Sequence, residues 1–123
     1  MLYRRDEPFR FAFGNPIEGT FKILKIDDMS GNSKEGPALI LDLSPNGIRL
    51  TSSLDLPIDK KKIIMEVLFI LNEKTISIIG QPKWKKQVGV SSFNYGLVGL
   101  ENEETKKEII NELKEYSRNL RKL

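Results

Sequence analysis

Two apolar, β-branched segments stand back to back at residues 63–71 and 74–84, with only Asn72 and Glu73 between them. A gap that short reads as a tight antiparallel hairpin. Residues 63–71 form a nearly continuous apolar run interrupted by Glu66, the pattern of a central strand. Residues 74–84 alternate instead. Ile76, Ile78, Gly80, Pro82 and Trp84 fall on one face, and Ser77, Ile79, Gln81 and Lys83 on the other. Gly80 and Pro82 indicate a bend or an edge.

The rest of the chain carries the same kind of signal. Residues 17–26 read as a strand with Ile17, Gly19, Phe21 and Ile23 on one face. Residues 27–37 contain Asp27-Asp28, a Ser-Gly-Asn-Ser run and Gly36-Pro37, which reads as a polar loop. Residues 38–43 read as a strand and 48–51 as its return. A charged connector with Pro57 covers 55–61, and 95–100 is the last strand. Several short strands with turn signals between them argue for a sandwich or barrel, and closing the sheet would remove its edges.

Both ends differ from this pattern. Residues 2–15 mix charge with aromatics. Pro8 holds Glu7 extended, and Phe9, Phe11 and Phe13 alternate with the period of a half-buried strand. This segment reads as an extended arm leading into the first strand. From Glu103 onward Ile109, Leu113, Tyr116 and Leu120 recur at helical spacing. Asn102 is the expected N-cap. Glu103 and Glu104 in the first turn, with Arg118, Arg121 and Lys122 in the last, suit the helix dipole. The helix is amphipathic and either packs on the barrel or meets a partner. The expected organisation is one domain over 1–123, with an arginine-rich arm at 1–15, a barrel at 16–101 and a helix at 102–123.

Composition narrows the function. The chain has 123 residues, near the modal domain size. It contains no cysteine and no histidine. That removes the usual zinc sites, the Cys-His and Ser-His-Asp constellations, and the usual neutral-pH proton shuttle. Carboxylate-only catalysis has no positive support, so no catalytic or metal-ligating residue is assigned and no enzyme is expected. The net charge of +3 suits a compact anionic ligand better than a nucleic acid. The longest apolar run is far too short to span a membrane. The N-terminus has no apolar region behind its arginines, so it does not read as a secretory signal. The lack of cysteine fits a reducing compartment, and the expected location is cytoplasmic.

One turn stands out. In Ile40-Leu41-Asp42-Leu43-Ser44-Pro45-Asn46-Gly47-Ile48 an apolar strand ends and another begins. Pro45 presets its own φ, and Gly47 can take a positive φ. On local chemistry this is a hairpin whose Asp and Ser cap their own turn. It also presents three possible contacts. Asp42 can accept from a donor edge such as guanine N1–H and N2–H₂. Ser44 offers a rotatable hydroxyl, and Gly47 permits close backbone approach. Upstream, Arg4, Arg5 and Arg10 each carry a planar fork that grips phosphate bidentately or stacks on a base.

Asp42-x-Ser44-x-x-Gly47 resembles the (D/N)-x-S-x-x-G motif of PilZ domains. The arginines lie where that family carries R-x-x-x-R, and Gly80, Trp84 and Tyr95-Gly96 sit where similar domains have comparable residues. The spacing in the arm differs, since four positions before Arg10 stands Asp6. The resemblance implies a six-stranded antiparallel β-barrel with a C-terminal helix. It further implies a bacterial receptor for the second messenger cyclic di-GMP, acting on motility, biofilm or polysaccharide output through a protein partner. Its ligand contacts would be Arg4, Arg5, Arg10, Asp42, Ser44 and Gly47, with no cofactor besides that ligand. The alternative is a PilZ-like interaction module that binds no nucleotide and docks through the helix or the aromatic arm. A nucleic-acid-binding barrel ranks below both.

Overall fold

The computed structural model describes residues 10–30, 35–100 and 102–121. Arg4, Arg5 and Asp6 therefore lie outside the described residues. In chain order the elements are β1 (Phe11–Ile26), β2 (Met29–Ser30), β3 (Gly36–Ser44), β4 (Gly47–Ser52), β5 (Ile63–Leu71), β6 (Lys74–Val88), β7 (Ser92–Gly99) and α1 (Glu103–Arg121).

Six strands close into an antiparallel barrel in the order β1-β3-β4-β7-β6-β5, and β5 pairs back onto β1. The two-residue β2 is a short flap on β1. Closure pairs both sides of each long strand, which answers the edge problem. The expected hairpin joins β5 to β6, with Leu71 opposite Lys74. Its turn residues Asn72 and Glu73 both have positive φ, as do Asp27 and Asp28 at the β1–β2 turn. Paired left-handed residues match the twist of the strands they join.

The core follows from strand alternation. On β5, Ile63, Met65, Val67, Phe69 and Leu71 point inward and are buried. They meet Phe21, Ile40, Leu43, Leu50, Ile76 and Ile78 from the other strands. Helix α1 adds Ile109 and Leu113, both buried, so its apolar face packs on the barrel. Its N-cap is Asn102, whose Oδ1 accepts from Thr105 N at 3.1 Å. Asn72 also reaches the helix, donating from Nδ2 to Glu112 O at 2.8 Å.

Three readings of the sequence are corrected. The first strand begins at Phe11, not Ile17, so the last residues assigned to the arm are already strand. Phe11 pairs with Leu43 and Ala12 with Asp42, ahead of a bulge before Ile17. Phe11 and Phe13 both pack on Tyr116 of α1, with ring centroids 5.5 and 5.4 Å away and near-perpendicular planes. The second correction concerns β6, which is longer than expected and is no edge, since it pairs with β5 and β7. Pro82 pairs with Leu97 but Trp84 with Gly96, so one extra residue sits at Lys83. That bulge shifts the alternation. Trp84 therefore lies outside and is exposed, instead of sharing the inward face of Ile76 and Ile78. Third, Leu120 is exposed, and the helix stripe seals only as far as Tyr116.

Candidate functional site

The Asp42–Gly47 segment is a two-residue hairpin. Ser44 pairs with Gly47, and Pro45 and Asn46 form the turn. Gly47 does not have a positive φ; among the described glycines only Gly89 does. Glycine is needed at position 47 for a different reason. A Cβ there would lie 2.5 Å from the backbone oxygen of Leu97 on β7. The glycine lets two strands approach, and that close contact is with the protein's own backbone. Ser44 is fully buried, and its Oγ donates to Gly47 O at 3.3 Å.

Register explains what surrounds Asp42. The two-residue turn sets Asp42 opposite Arg49 on β4, and a bulge at Leu41 lets Ile40 and Leu43 both face the core. Directly opposed residues share a face of the sheet. On the other side Asp42 faces Ala12, two residues after Arg10 on the same face. Both arginines converge on one carboxylate. Arg10 Nη1 donates to Oδ1 at 2.7 Å, and Arg49 Nε donates to Oδ2 at 2.7 Å. The Asp42 side chain is 6% exposed, whereas Arg10 and Arg49 are 47% and 42% exposed. The acid is the buried anchor and the forks are its outer layer.

These forks form one wall of a groove of ≈ 490 Å³ on the outside of the barrel. Asn46, Gly47 and Ile48 continue that wall, and Lys83, Trp84, Gly96 and Val98 line the rest. Gly96 matters for the shape. A Cβ there would meet Trp84 Nε1 at 2.1 Å, so the indole lies directly on the Gly96 backbone. Among the described residues the lining holds three cations, Arg10, Arg49 and Lys83, and no carboxylate. A half-exposed aromatic plane beside cationic forks can take an anion and a flat ring together.

Of the contacts expected from the sequence, Arg10 and Gly47 line this groove, and Asp42 is buried behind its wall, bonded to Arg10 and Arg49. Ser44 lies beneath it in the turn. Two participants escaped the sequence reading. Arg49 is legible by counting outward from Pro45-Asn46, which sets 42 against 49 directly. Strict alternation along 74–84 puts Trp84 on the inward face, and the bulge at Lys83 turns it outward.

Away from the groove, the Tyr95 hydroxyl ties down the connector after β4. It accepts from Leu56 N at 2.9 Å and donates to Leu54 O. Burial raises the Tyr95 pKa above its ordinary 10.0. The neighbouring Lys85 donates to Asp55 at 2.6 Å, and that hydrogen bond raises its pKa above 10.5.

The molecule is thus a closed six-stranded antiparallel barrel with one packed C-terminal helix and a cationic groove on its outer face. No protein-family model matches the chain, and no curated protein matches it. A solved structure does: the PilZ domain of CeSA from a cellulose-synthesizing bacterium. The two share 12% identity, with a TM-score of 0.54, over 83% of this chain and 91% of that one. At this identity the likeness establishes a PilZ-like fold, as the resemblance of the hairpin motif implied.

Proposed function

We propose that this chain is a bacterial receptor domain for cyclic di-GMP, a binding module and not an enzyme, that relays the signal to a protein partner in the cytoplasm. One observation carries the reading. In a PilZ-like barrel, the motif residue Asp42 holds the arm residue Arg10 on the wall of a cationic groove that also contains an exposed indole. A cyclic dinucleotide offers what such a groove takes: two phosphodiester charges and two flat bases. Arg10 meets a phosphate or a base face, and Trp84 supplies a second plane.

Calorimetry with cyclic di-GMP tests this on the wild type and on Arg10→Ala. The expected result is saturable heat, with affinity about ten-fold weaker or more in the variant, the scale of one charge-assisted hydrogen bond. No heat at high micromolar ligand would sink the reading.

A second reading has an observation of its own. Both oxygens of Asp42 are taken by arginines and Ser44 is fully buried. Those two motif residues would then serve the hairpin alone, in a module that docks a protein without nucleotide. A partner that binds equally with and without cyclic di-GMP would favour it.

A further inference from the structure

We infer that Arg49 is the second cation of the phosphate clamp, paired with Arg10 across the Asp42 carboxylate. The inference rests on the dinucleotide reading above and assigns the work within that site. Arg49 reaches Asp42 through Nε alone. Among the described residues neither of its Nη nitrogens takes a hydrogen-bond partner. The anchor is buried, the side chain is 42% exposed, and the residue lines the groove. An arginine held at its Nε with its terminal fork unassigned is oriented for a bidentate acceptor outside the protein.

Electrostatics point the same way. Asp42 brings two guanidinium groups onto one carboxylate, and these three side chains together carry one positive charge. Lys83 adds another across the groove. A ligand with two phosphate charges matches what remains. In this arrangement Asp42 is a positioning residue: it aims two forks and leaves the reading of the ligand to them. Arg49 is rooted in the barrel by strand pairing on both sides, with Asp42 on β3 and Gly96 on β7. Its placement therefore does not depend on how the arm is spaced.

The groove contains the chain's single tryptophan, so intrinsic fluorescence reports on it directly. Wild type, Arg49→Ala, Arg49→Lys and Lys86→Ala are titrated with cyclic di-GMP and, separately, with inorganic pyrophosphate. Circular dichroism melts accompany each protein, and Arg49→Lys serves if the alanine variant does not fold. Arg49→Ala is expected to weaken both probes by about ten- to a hundred-fold, the scale of one or two charge-assisted hydrogen bonds. Arg49→Lys is expected to recover part of that, since a lysine cannot hold Asp42 and a bidentate phosphate at once. Lys86→Ala, which removes an equal charge outside the groove, is expected to change affinity by less than about three-fold.

The assignment is overturned if Arg49→Ala binds within about two-fold of wild type, or if Lys86→Ala loses as much, because either result reduces the effect to general charge. Wild type that ignores cyclic di-GMP but shows Arg49-dependent binding of pyrophosphate removes the proposed ligand and keeps the clamp. Wild type that binds neither probe overturns both.

Discussion

Trp84 and Gly96 occupy the same patch of barrel surface: the indole of one covers the backbone of the other so closely that a single methyl group would collide with Nε1 at 2.1 Å. The obstacle is a side-chain ring that is itself 43% exposed, so it can swing away. Gly96→Ala is therefore expected to keep stability within about 1 kcal/mol of wild type, with the loss of chain freedom in the unfolded state offsetting the displaced ring. The tryptophan emission should move to longer wavelength and the groove should lose its flat wall. Gly47→Ala differs, because its Cβ meets a backbone oxygen that cannot step aside. A cost of about 1–3 kcal/mol is expected there. Urea titrations of the two variants measure the contrast.

Tyr95→Phe removes one oxygen and strands two backbone groups, Leu56 N and Leu54 O. An unmet buried donor or acceptor costs about 1–3 kcal/mol, and the urea midpoint should fall accordingly.

Alkaline pH should act on the same corner. The folded pKa values of Tyr95 and Lys85 are both raised, above 10.0 and 10.5 respectively. For a raised pKa the folded state holds its proton more tightly than the unfolded state. The contribution is thus fully present below the ordinary value and is lost as pH rises through the folded one. Stability should be flat from neutral pH to about 10 as far as these groups are concerned, and fall above it. In Tyr95→Phe the alkaline fall should be shallower, which denaturant midpoints across that range would show.

Asp42→Ala leaves two arginines facing each other without their shared counter-charge. Both forks are half exposed and regain water, so the expected loss of stability is about 1–3 kcal/mol. Added salt should narrow the gap to wild type by screening the repulsion. Asp42→Asn keeps one accepting oxygen and should fall between the two. Thermal melts at low and high salt decide this.

Tyr116→Ala opens the joint between the first strand and the last helix. Phe11 and Phe13 lose their edge-on partner. Aromatic pairs contribute about 0.5–1.5 kcal/mol each beyond buried area. Amide exchange should accelerate around Phe11 and Phe13, while the amides of β5 stay protected. Equal acceleration in both places would mean that the cluster supports the whole barrel.

Much of the barrel was legible in the residues because its core obeys strict alternation. Residues 63–71 and the Asn72-Glu73 turn could be read directly, and so could the Asn102 cap. The site was legible only in part. A motif names Asp42 and Gly47 but not their geometry, and the geometry turns on two bulges. One, at Leu41, puts Asp42 on the face opposite to that of Ile40; the other, at Lys83, turns Trp84 outward. A bulge is one extra residue, and no propensity marks where it falls. The early start of β1 was hidden for a similar reason: Phe11 and Phe13 have strand periodicity, but their helix partner Tyr116 lies at the far end of the chain.

The way the barrel closes has a consequence for how it is made. Ile17 finds Ile40 on β3, but Gly19 faces Phe69 on β5 as well. During synthesis the first strand therefore emerges with neither neighbour present, gains one when β3 appears, and waits for β5 to gain the other. Such distant pairings place a small β protein among the slower folders. The interval before β5 arrives is when this strand is open to pairing with another nascent chain.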